Sequence, residues 1–392
     1  PRDDPFDENP VRLFREVGTT VFKSGWEPDD FVFVFRSGPF INHQHIDQGT
    51  FWLSDRGSLF IEERHGSTYY EDPLYQPWYT QPVGHSTLLI DHNHQSQRVG
   101  DLLWNVEGFD DYAFTTHFLD GENAAFTSGD IGRLYWGKVK CLKRNILYLK
   151  PRTLLMLDTI TPGDQDVDVT ALYQTHYLES ITASNDCSEI TVDGNTLFVK
   201  HLAPDYREVK EVETPHYLYT LQRQRPLKKE GMLTVTARTN KVPLVLANLL
   251  TSTTESKPVI ETEKGNGFAS GKVNGIPFVF TTFPGNIYDA DGIKTDALVF
   301  TGSGSKLFVA ICTTLIRDNV MIIESEQPVT CEIDGGKLKY YSCTDNEAAL
   351  GVASKPTSVM INGKDAESYI YDGNRSVVKL TLPSGEGIVE VK

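Results

Sequence analysis

Hydrophobic and polar residues alternate with a period of two along most of the chain, which is the pattern of half-buried β-strands. Polar turns separate these runs about every ten residues. A dense run of phenylalanine and valine at residues 31–36 predicts a strand that is buried on both faces. No window gives a convincing amphipathic helix of three turns. The pattern therefore predicts an all-β protein that is built from antiparallel sandwiches.

A β-hairpin is predicted near the start of the chain. The segments 50–54 and 58–62 flank Asp55-Arg56-Gly57, and glycine readily takes the positive φ of a tight turn. A loop rich in tyrosine and proline follows over residues 69–82, and a short strand is predicted over residues 86–90. The predicted hairpin and strand therefore lie on either side of the loop at residues 69–82, which contains candidate functional residues.

The length of 392 residues exceeds what one ordinary core can fill, so more than one domain is expected. We predict a large antiparallel β-sandwich (a supersandwich) over residues 1–315 and a smaller C-terminal β-sandwich over residues 316–392. The polar stretch 251–258 is a candidate boundary inside the first of these.

The net charge of −16 argues against a nucleic-acid partner, because a basic face supplies most of that affinity. No apolar run approaches the roughly 20 residues that span a bilayer, so no membrane partner is expected. The five cysteines are scattered without a CxxC motif, which favours buried free thiols over a zinc ribbon or a redox pair.

Five of the ten histidines fall between residues 43 and 92. His43 and His45 project from the same face of an extended chain, and Asp47 continues that face. Two imidazoles and one carboxylate, with water, form a common tetrahedral zinc set. The residues that could complete such a set are Glu62, Glu63 and His85. A pair of hydrogen-bonded surface histidines beside a turn is the alternative, and the spacing leaves both interpretations open.

The loop after the hairpin carries several aromatic side chains, with Arg64 and His65 just before it: Tyr69, Tyr70, Tyr75, Trp78 and Tyr79. Aromatic faces stack on sugar rings and phenols bond their hydroxyls, so a carbohydrate platform is one interpretation. Ordinary loop packing is the other.

Three further groups are given structural roles. The basic residues Lys138, Lys140, Lys143 and Arg144 are interpreted as a solvated sheet edge, and the isolated histidines His117, His176, His201 and His216 as structural. His92 and His94 are assigned to a polar turn.

Four ordered segments resemble the C-terminal β-region of heparinase II/III-type polysaccharide lyases, which include heparin, heparan sulfate and alginate lyases. They are Arg36-Ser37-Gly38-Pro39, then 43–51 with its H-x-H-x-D motif, then 57–62, then 84–91. In that family the β-region follows an α/α toroid that supplies the principal catalytic tyrosine. No toroid is found in this chain, so the resemblance implies either the C-terminal part of a longer or cleaved enzyme or a β-region taken alone.

The resemblance also implies roles for individual residues. His43 matches the histidine that faces the substrate cleft, whereas His45, Glu62 and His85 match the ligands of a mainly structural zinc ion. Glutamate stands at residue 62 where the family usually has aspartate, so Glu63 is an alternative ligand. The tyrosine that lines the cleft is matched by Tyr69 or Tyr70, and Arg64 is a secondary candidate.

The implied reaction is β-elimination at a uronic acid, carried out by a carbon–oxygen lyase on an anionic polysaccharide or oligosaccharide. A tyrosine or histidine removes the C5 proton, and a tyrosine protonates the leaving oxygen. Alginate and heparin-type chains both remain open, and the family implies a secreted or periplasmic protein. The competing interpretations are a non-catalytic carbohydrate-binding or structural β-module and a zinc-dependent hydrolase.

Overall fold

The computed structural model describes residues 9–40, 45–62, 72–97, 112–215, 229–254, 257–303 and 306–392. Their regular secondary structure is almost entirely antiparallel β-strand, so the predicted all-β class is confirmed. The helical segments are single turns: Arg15–Val17, Tyr75–Tyr79 (a π-helical turn), Pro82–Gly84, Gly132–Tyr135 and Leu178–Ser180. In this part of the chain no helix is long and apolar enough to cross a membrane.

The chain divides into two compact units. Unit 1 consists of Pro1–Thr115 and Ser128–Pro258, and unit 2 of Thr116–Thr127 and Val259–Lys392. The division after Pro258 falls at the end of the polar stretch that the sequence singles out. The predicted line between residues 315 and 316 falls inside the strand Lys306–Arg317, which belongs to the sheet of unit 2.

The strands that lie in or enter unit 1 are β1 (Arg12–Phe14), β2 (Thr19–Lys23), β3 (Val32–Arg36), β4 (Phe51–Asp55), β5 (Ser58–Ile61), β6 (Leu88–Ile90), β7 (Phe114–Asp120), β8 (Ala124–Asp130), β9 (Val139–Leu149), β10 (Thr153–Pro162), β11 (Asp168–Thr175), β12 (Ile181–Thr182), β13 (Cys187–Val192), β14 (Asn195–Ala203), β15 (Glu208–Thr214), β16 (Glu230–Arg238) and β17 (Leu244–Thr253). They form a five-stranded sheet in the order β1-β2-β3-β4-β5, an eight-stranded sheet in the order β12-β13-β14-β17-β10-β9-β8-β7 and a four-stranded sheet in the order β15-β16-β11-β6.

Aromatic side chains fill the core against the five-stranded sheet. Tyr148 of β9 stacks on Phe22 and on Phe31, with ring centroids 5.3 and 5.2 Å apart. In β3 the phenylalanines are fully buried, whereas Val32 and Val34 are half-buried. The prediction of a strand buried on both faces is therefore wrong, because the valines point away from this core.

The predicted hairpin is confirmed. β4 and β5 pair antiparallel around Arg56 and Gly57, whose φ angles of 54° and 75° are both positive. Two positive φ angles match the twist of a tight two-residue turn. The hairpin thereby delivers Glu62, just beyond β5, to the end of β11, where its amide donates to the carbonyl of Gln174 at 3.2 Å.

Unit 2 contains β18 (Ile260–Lys264), β19 (Phe268–Val273), β20 (Ile276–Thr281), β21 (Tyr288–Ala290), β22 (Ile293–Thr295), β23 (Val299–Ser303), β24 (Lys306–Arg317), β25 (Val320–Asp334), β26 (Lys337–Ser342), β27 (Asn346–Gly351), β28 (Val359–Ile361), β29 (Lys364–Asp365), β30 (Ile370–Asp372), β31 (Val377–Leu382) and β32 (Gly385–Val391). The 15-residue β25 pairs with β26 through Val329–Asp334 and with β27 through Ile323–Ser325. This one strand therefore belongs to two branches of the sheet, and a single apolar core lies against both.

Candidate functional site

His45 and His85 come together although forty residues separate them in the sequence. Their ring centroids are 5.2 Å apart and their planes are inclined at 58°. His85 is fully buried, and His45 is half-buried. Tyr75, from the aromatic loop, meets His45 edge-on at 6.3 Å. The structure thus builds a pair of imidazoles with one tyrosine from the predicted loop beside them.

Local turns hold His85 in place. The 3₁₀ turn Pro82–Gly84 ends at His85, whose amide donates to the carbonyl of Pro82 at 3.1 Å. Gly84 lies so close to the preceding turn that an added Cβ would stand 2.5 Å from the carbonyl oxygen of Trp78. Glycine is therefore required for the approach that buries His85.

The segment that carries His45 is bound to the same turns. The amide of Ile46 donates to the carbonyl of Thr80 at 2.8 Å. Asp47, which the sequence places on the face of the histidines, pairs with Arg36 instead, with 3.4 Å between its Oδ1 and the arginine Nε. Asp47 thus joins the H-x-H-x-D segment to β3.

Glu62 contacts His176, which follows β11, through a short hydrogen bond between Oε1 and Nδ1. Among the described residues no three His, Cys, Asp or Glu side chains form a group that could hold a metal ion. The structure therefore brings two of the three predicted ligands together and pairs the carboxylate with a histidine that the sequence left isolated. Glu63 lies outside the described residues.

A buried arginine contacts the main chain that follows each of the two histidines. Arg144 has no exposed surface, and its Nε and Nη2 donate to the two carboxylate oxygens of Asp158 at 2.8 and 3.0 Å. Asp158 is directly opposite Arg144 in the β9–β10 register. Burial acts to lower the pKa of Arg144, but the charge and hydrogen bonds of Asp158, together with the nearby Tyr173 and Tyr135, more than offset it, so the pKa is raised and the guanidinium is charged. The interpretation of Arg144 as part of a solvated edge is wrong, because β9 has entered the core by this residue.

The same guanidinium joins the two histidine-bearing segments. Nη1 of Arg144 donates to the carbonyl of Gly49 at 2.7 Å and to that of Ser86 at 3.0 Å. The amide of Ser86 donates to Thr50 Oγ1 at 3.1 Å, and Thr87 Oγ1 donates to the carbonyl of Gln48 at 2.6 Å. The residues that follow His45 and His85 are thereby held together by main-chain and side-chain bonds.

Gln97 extends this network. Its amide group accepts from the amide of Gln48 at 3.1 Å and donates to the carbonyl of the same residue at 2.6 Å. It also donates to the phenol of Tyr135, which in turn donates to the carbonyl of Leu88 at 2.9 Å. Burial raises the pKa of Tyr135 far above its usual value, so this phenol is a structural donor and not a base.

A polar cleft of about 440 Å³ opens beside His176 and includes Tyr177, Glu179 and Asp193. The rings of His176 and Tyr177 meet edge-on with 4.6 Å between centroids. Two carboxylates in its lining would repel an anionic chain. The described lining of the cleft, which has no lysine or arginine, therefore does not favour a uronate polymer.

The remaining predicted site residues, His43, Arg64, Tyr69 and Tyr70, lie outside the described residues. Among the isolated histidines, His201 is buried between hydrogen-bonding partners and is structural, as the sequence predicts. His176 is not isolated, but no sequence signal links it to Glu62, which lies 114 positions away.

Comparison with known proteins gives one family. The family model described as "Heparinase II/III-like, C-terminal" matches residues 7–250, more than half of the chain. Heparan sulfate lyase HepC from Pedobacter heparinus superposes with a TM-score of 0.59 at 18% identity, covering 71% of this chain and 43% of that protein. A crystal structure of heparinase III gives a TM-score of 0.55 at 13% identity, covering 70% and 43%. The chain thus shares their fold and spans less than half of their length. A search of curated proteins found no significant match.

Proposed function

Because the chain belongs to the heparinase II/III-like C-terminal family, we propose that it is the β-region of a polysaccharide lyase. The proposed substrate is an anionic polysaccharide or oligosaccharide that contains uronate, either a glycosaminoglycan of the heparin or heparan sulfate type or alginate. The observation that carries the proposal is the 5.2 Å approach of His45 and His85, which stand in two separate segments of the family pattern. An α/α toroid domain would complete the cleft, and a secreted or periplasmic location would expose the protein to such polymers.

The reaction proposed is β-elimination. A base removes the proton from C5, the C5–H electrons form the C4=C5 double bond, and the bond from C4 to the glycosidic oxygen breaks. The leaving oxygen takes a proton, so no water is consumed. The C5 proton is acidic only when the adjacent carboxylate is neutralised by donors or cations.

We assign proton transfer or carboxylate neutralisation to His43, from its place in the motif two residues before His45. Arg64 and one of Tyr69 and Tyr70 are the secondary candidates, for neutralisation and for protonation of the leaving oxygen. Tyr135 and Tyr173 are excluded as bases, because burial raises the pKa of both phenols far above the working range.

We also propose that His45 and His85 bind zinc with a carboxylate from Glu62 or Glu63. With a Zn–N distance of about 2.1 Å, two imidazoles on one tetrahedral ion have ring centroids about 5 Å apart, and the observed separation of 5.2 Å fits. A ligating carboxylate is usually hydrogen-bonded by a neighbour, which is the place that His176 takes beside Glu62. When bound, the ion would hold the loops of the cleft in place and activate no water.

Metal analysis and product analysis test the proposal together. The wild-type chain should bind about one zinc per molecule, and His45→Ala and His85→Ala should lose it, whereas His43→Ala should retain it. In the full-length polypeptide His43→Ala should abolish the near-ultraviolet absorbance of unsaturated uronate formed from heparan sulfate or alginate.

Each competing function gives a different result. A zinc hydrolase would release reducing ends without that absorbance, and would lose activity in parallel with zinc. A carbohydrate-binding module would bind the polymer and release no product, whether or not His43 is present. Either outcome would replace the lyase proposal.

A further inference from the structure

We infer that Arg144 is the positioning residue of the histidine pair: its guanidinium sets the spacing of His45 and His85 by holding the main chain that follows each of them. The inference deepens the proposed function, since it names the group that shapes the zinc site. It rests on contacts that lie outside that site and do not require the metal.

The geometry is specific to arginine. Four of the five N–H groups of the guanidinium are used within 3.0 Å, two on Asp158 and two on the main chain. The two main-chain bonds leave from the same nitrogen, so the carbonyls of Gly49 and Ser86 are held on one atom. The two bonds from Nε and Nη2 to Asp158 fix the plane of the guanidinium group, and this plane sets the direction in which Nη1 points.

The position of Arg144 makes the constraint rigid. Its side chain is fully buried, and Asp158 is 1% exposed, so water does not compete for these bonds. The guanidinium carbon also lies 5.7 Å from the ring centroid of Phe51, in the strand that follows Thr50. A buried, fully paired group has one low-energy arrangement, and this one bridges the two histidine segments.

A structural alternative is that Arg144 only stabilises the core. The neighbouring residue offers the matched control. Asn145 is 1% exposed, accepts from Ser128 at 2.8 Å and donates to the carbonyl of Leu157 at 2.8 Å. Asn145→Ala therefore removes buried hydrogen bonds from the same strand without touching either histidine segment.

Hydrogen exchange of the metal-free chain is the primary test. In Arg144→Lys the charge facing Asp158 remains but the fork is lost, and we expect amides in 45–50 and 85–88 to exchange at least about tenfold faster, both segments together. Asn145→Ala should leave both at the wild-type rate. If Arg144→Lys does not fold, the double variant Arg144→Met with Asp158→Leu carries the test, since a buried ion pair replaced by apolar residues is often tolerated.

Zinc affinity is the second readout. The folded Arg144 variants should bind zinc about 10- to 100-fold more weakly than wild type, and Asn145→Ala should bind it with unchanged affinity. Wild-type exchange in both segments of a folded Arg144 variant, or equal acceleration in Asn145→Ala, would overturn the inference. Failure of the wild-type chain to bind zinc would overturn the metal site alone, because the exchange result does not depend on it.

Discussion

His201 gives unit 1 a pH-dependent stability whose size follows from the structure. Its imidazole is 3% exposed, with Nδ1 2.7 Å from Asn248 Oδ1 and Nε2 2.9 Å from the hydroxyl of Ser188. Burial lowers the pKa of His201 from 6.5 to about 4, although the bond with Asn248 opposes the shift. The neutral imidazole makes a hydrogen bond with each of these two neighbours, so protonation of His201 is disfavoured in the folded chain.

The sign and the magnitude come from proton linkage. The unfolded chain takes up the proton at about pH 6.5 and the folded chain only near pH 4, so the unfolded state binds more protons between these values. The contribution of His201 to stability is fully present above pH 6.5 and is lost as the pH falls towards 4. The free energy of unfolding should drop by about 2 kcal/mol between pH 7.5 and pH 5 from this residue alone.

Urea unfolding followed by tryptophan fluorescence measures the free energy of unfolding of unit 1, which contains His201. All five tryptophans precede residue 137 and none lies in Thr116–Thr127, so they report on unit 1, which contains His201. The variant His201→Asn keeps a donor near the place of Nδ1 and does not titrate. Its loss of stability between pH 7.5 and pH 5 should be smaller than that of wild type by about 2 kcal/mol.

The exposed His94 supplies the control, because His94→Asn should keep the full wild-type loss. Shared effects of other groups cancel when each variant is compared with wild type over the same two pH values. An equal loss in His201→Asn and wild type would mean that His201 titrates normally in the folded chain, and the argument from burial would be refuted.

Three further predictions concern other groups. His176→Ala should weaken zinc binding about 10- to 100-fold in a chelator competition, because Glu62 loses its hydrogen-bonding neighbour. His176→Asn should bind zinc almost as tightly as wild type. If His176→Ala and wild type had equal zinc affinities, Glu63 would be indicated as the ligand instead. Cys343 is the exposed cysteine of the five, so one thiol per chain should react rapidly with Ellman's reagent, and a second equally fast thiol would contradict the half-buried position of Cys141 or the burial of the other three. Gly84→Ala should lower the free energy of unfolding by about 1–3 kcal/mol because the added Cβ meets the Trp78 carbonyl, and an unchanged urea midpoint would show that the turn relaxes without cost.

The sequence predicts the fold class well because local patterns determine it. Alternation identifies strands, and a glycine able to take positive φ identifies the turn between β4 and β5. It also predicts that His45 and His85 belong to one site, through two ordered motifs. Periodicity does not show the environment of each face of a strand, so the apolar run 31–36 predicts burial for Val32 and Val34, which are half-buried.

Arg144 shows why the sequence does not predict the hydrogen-bond network that joins the two histidine segments. A charged residue four positions after the exposed Lys140 of β9 suggests that the polar edge continues, yet the strand is buried from residue 144 onwards. One signal was available. Counting back from the turn at Pro151 and Arg152 places Arg144 opposite Asp158, and opposite charges inside two apolar runs indicate a buried pair.

His176 could not be found in this way. Its partner Glu62 lies 114 positions earlier, and their contact depends on the end of β5 meeting the end of β11. No short-range sequence pattern indicates a contact between residues so far apart in the chain.

The long strand β25 has a consequence for how unit 2 comes apart. Because residues 329–334 pair with β26 and residues 323–325 pair with β27, one backbone segment is common to both branches of the sheet. When either branch separates from β25, the hydrogen bonds that β25 makes to the other branch are disturbed. The apolar side chains of the shared core become exposed to water at the same time. The two branches should therefore unfold in one transition, and native-state hydrogen exchange should show one shared opening rate for the core amides of both.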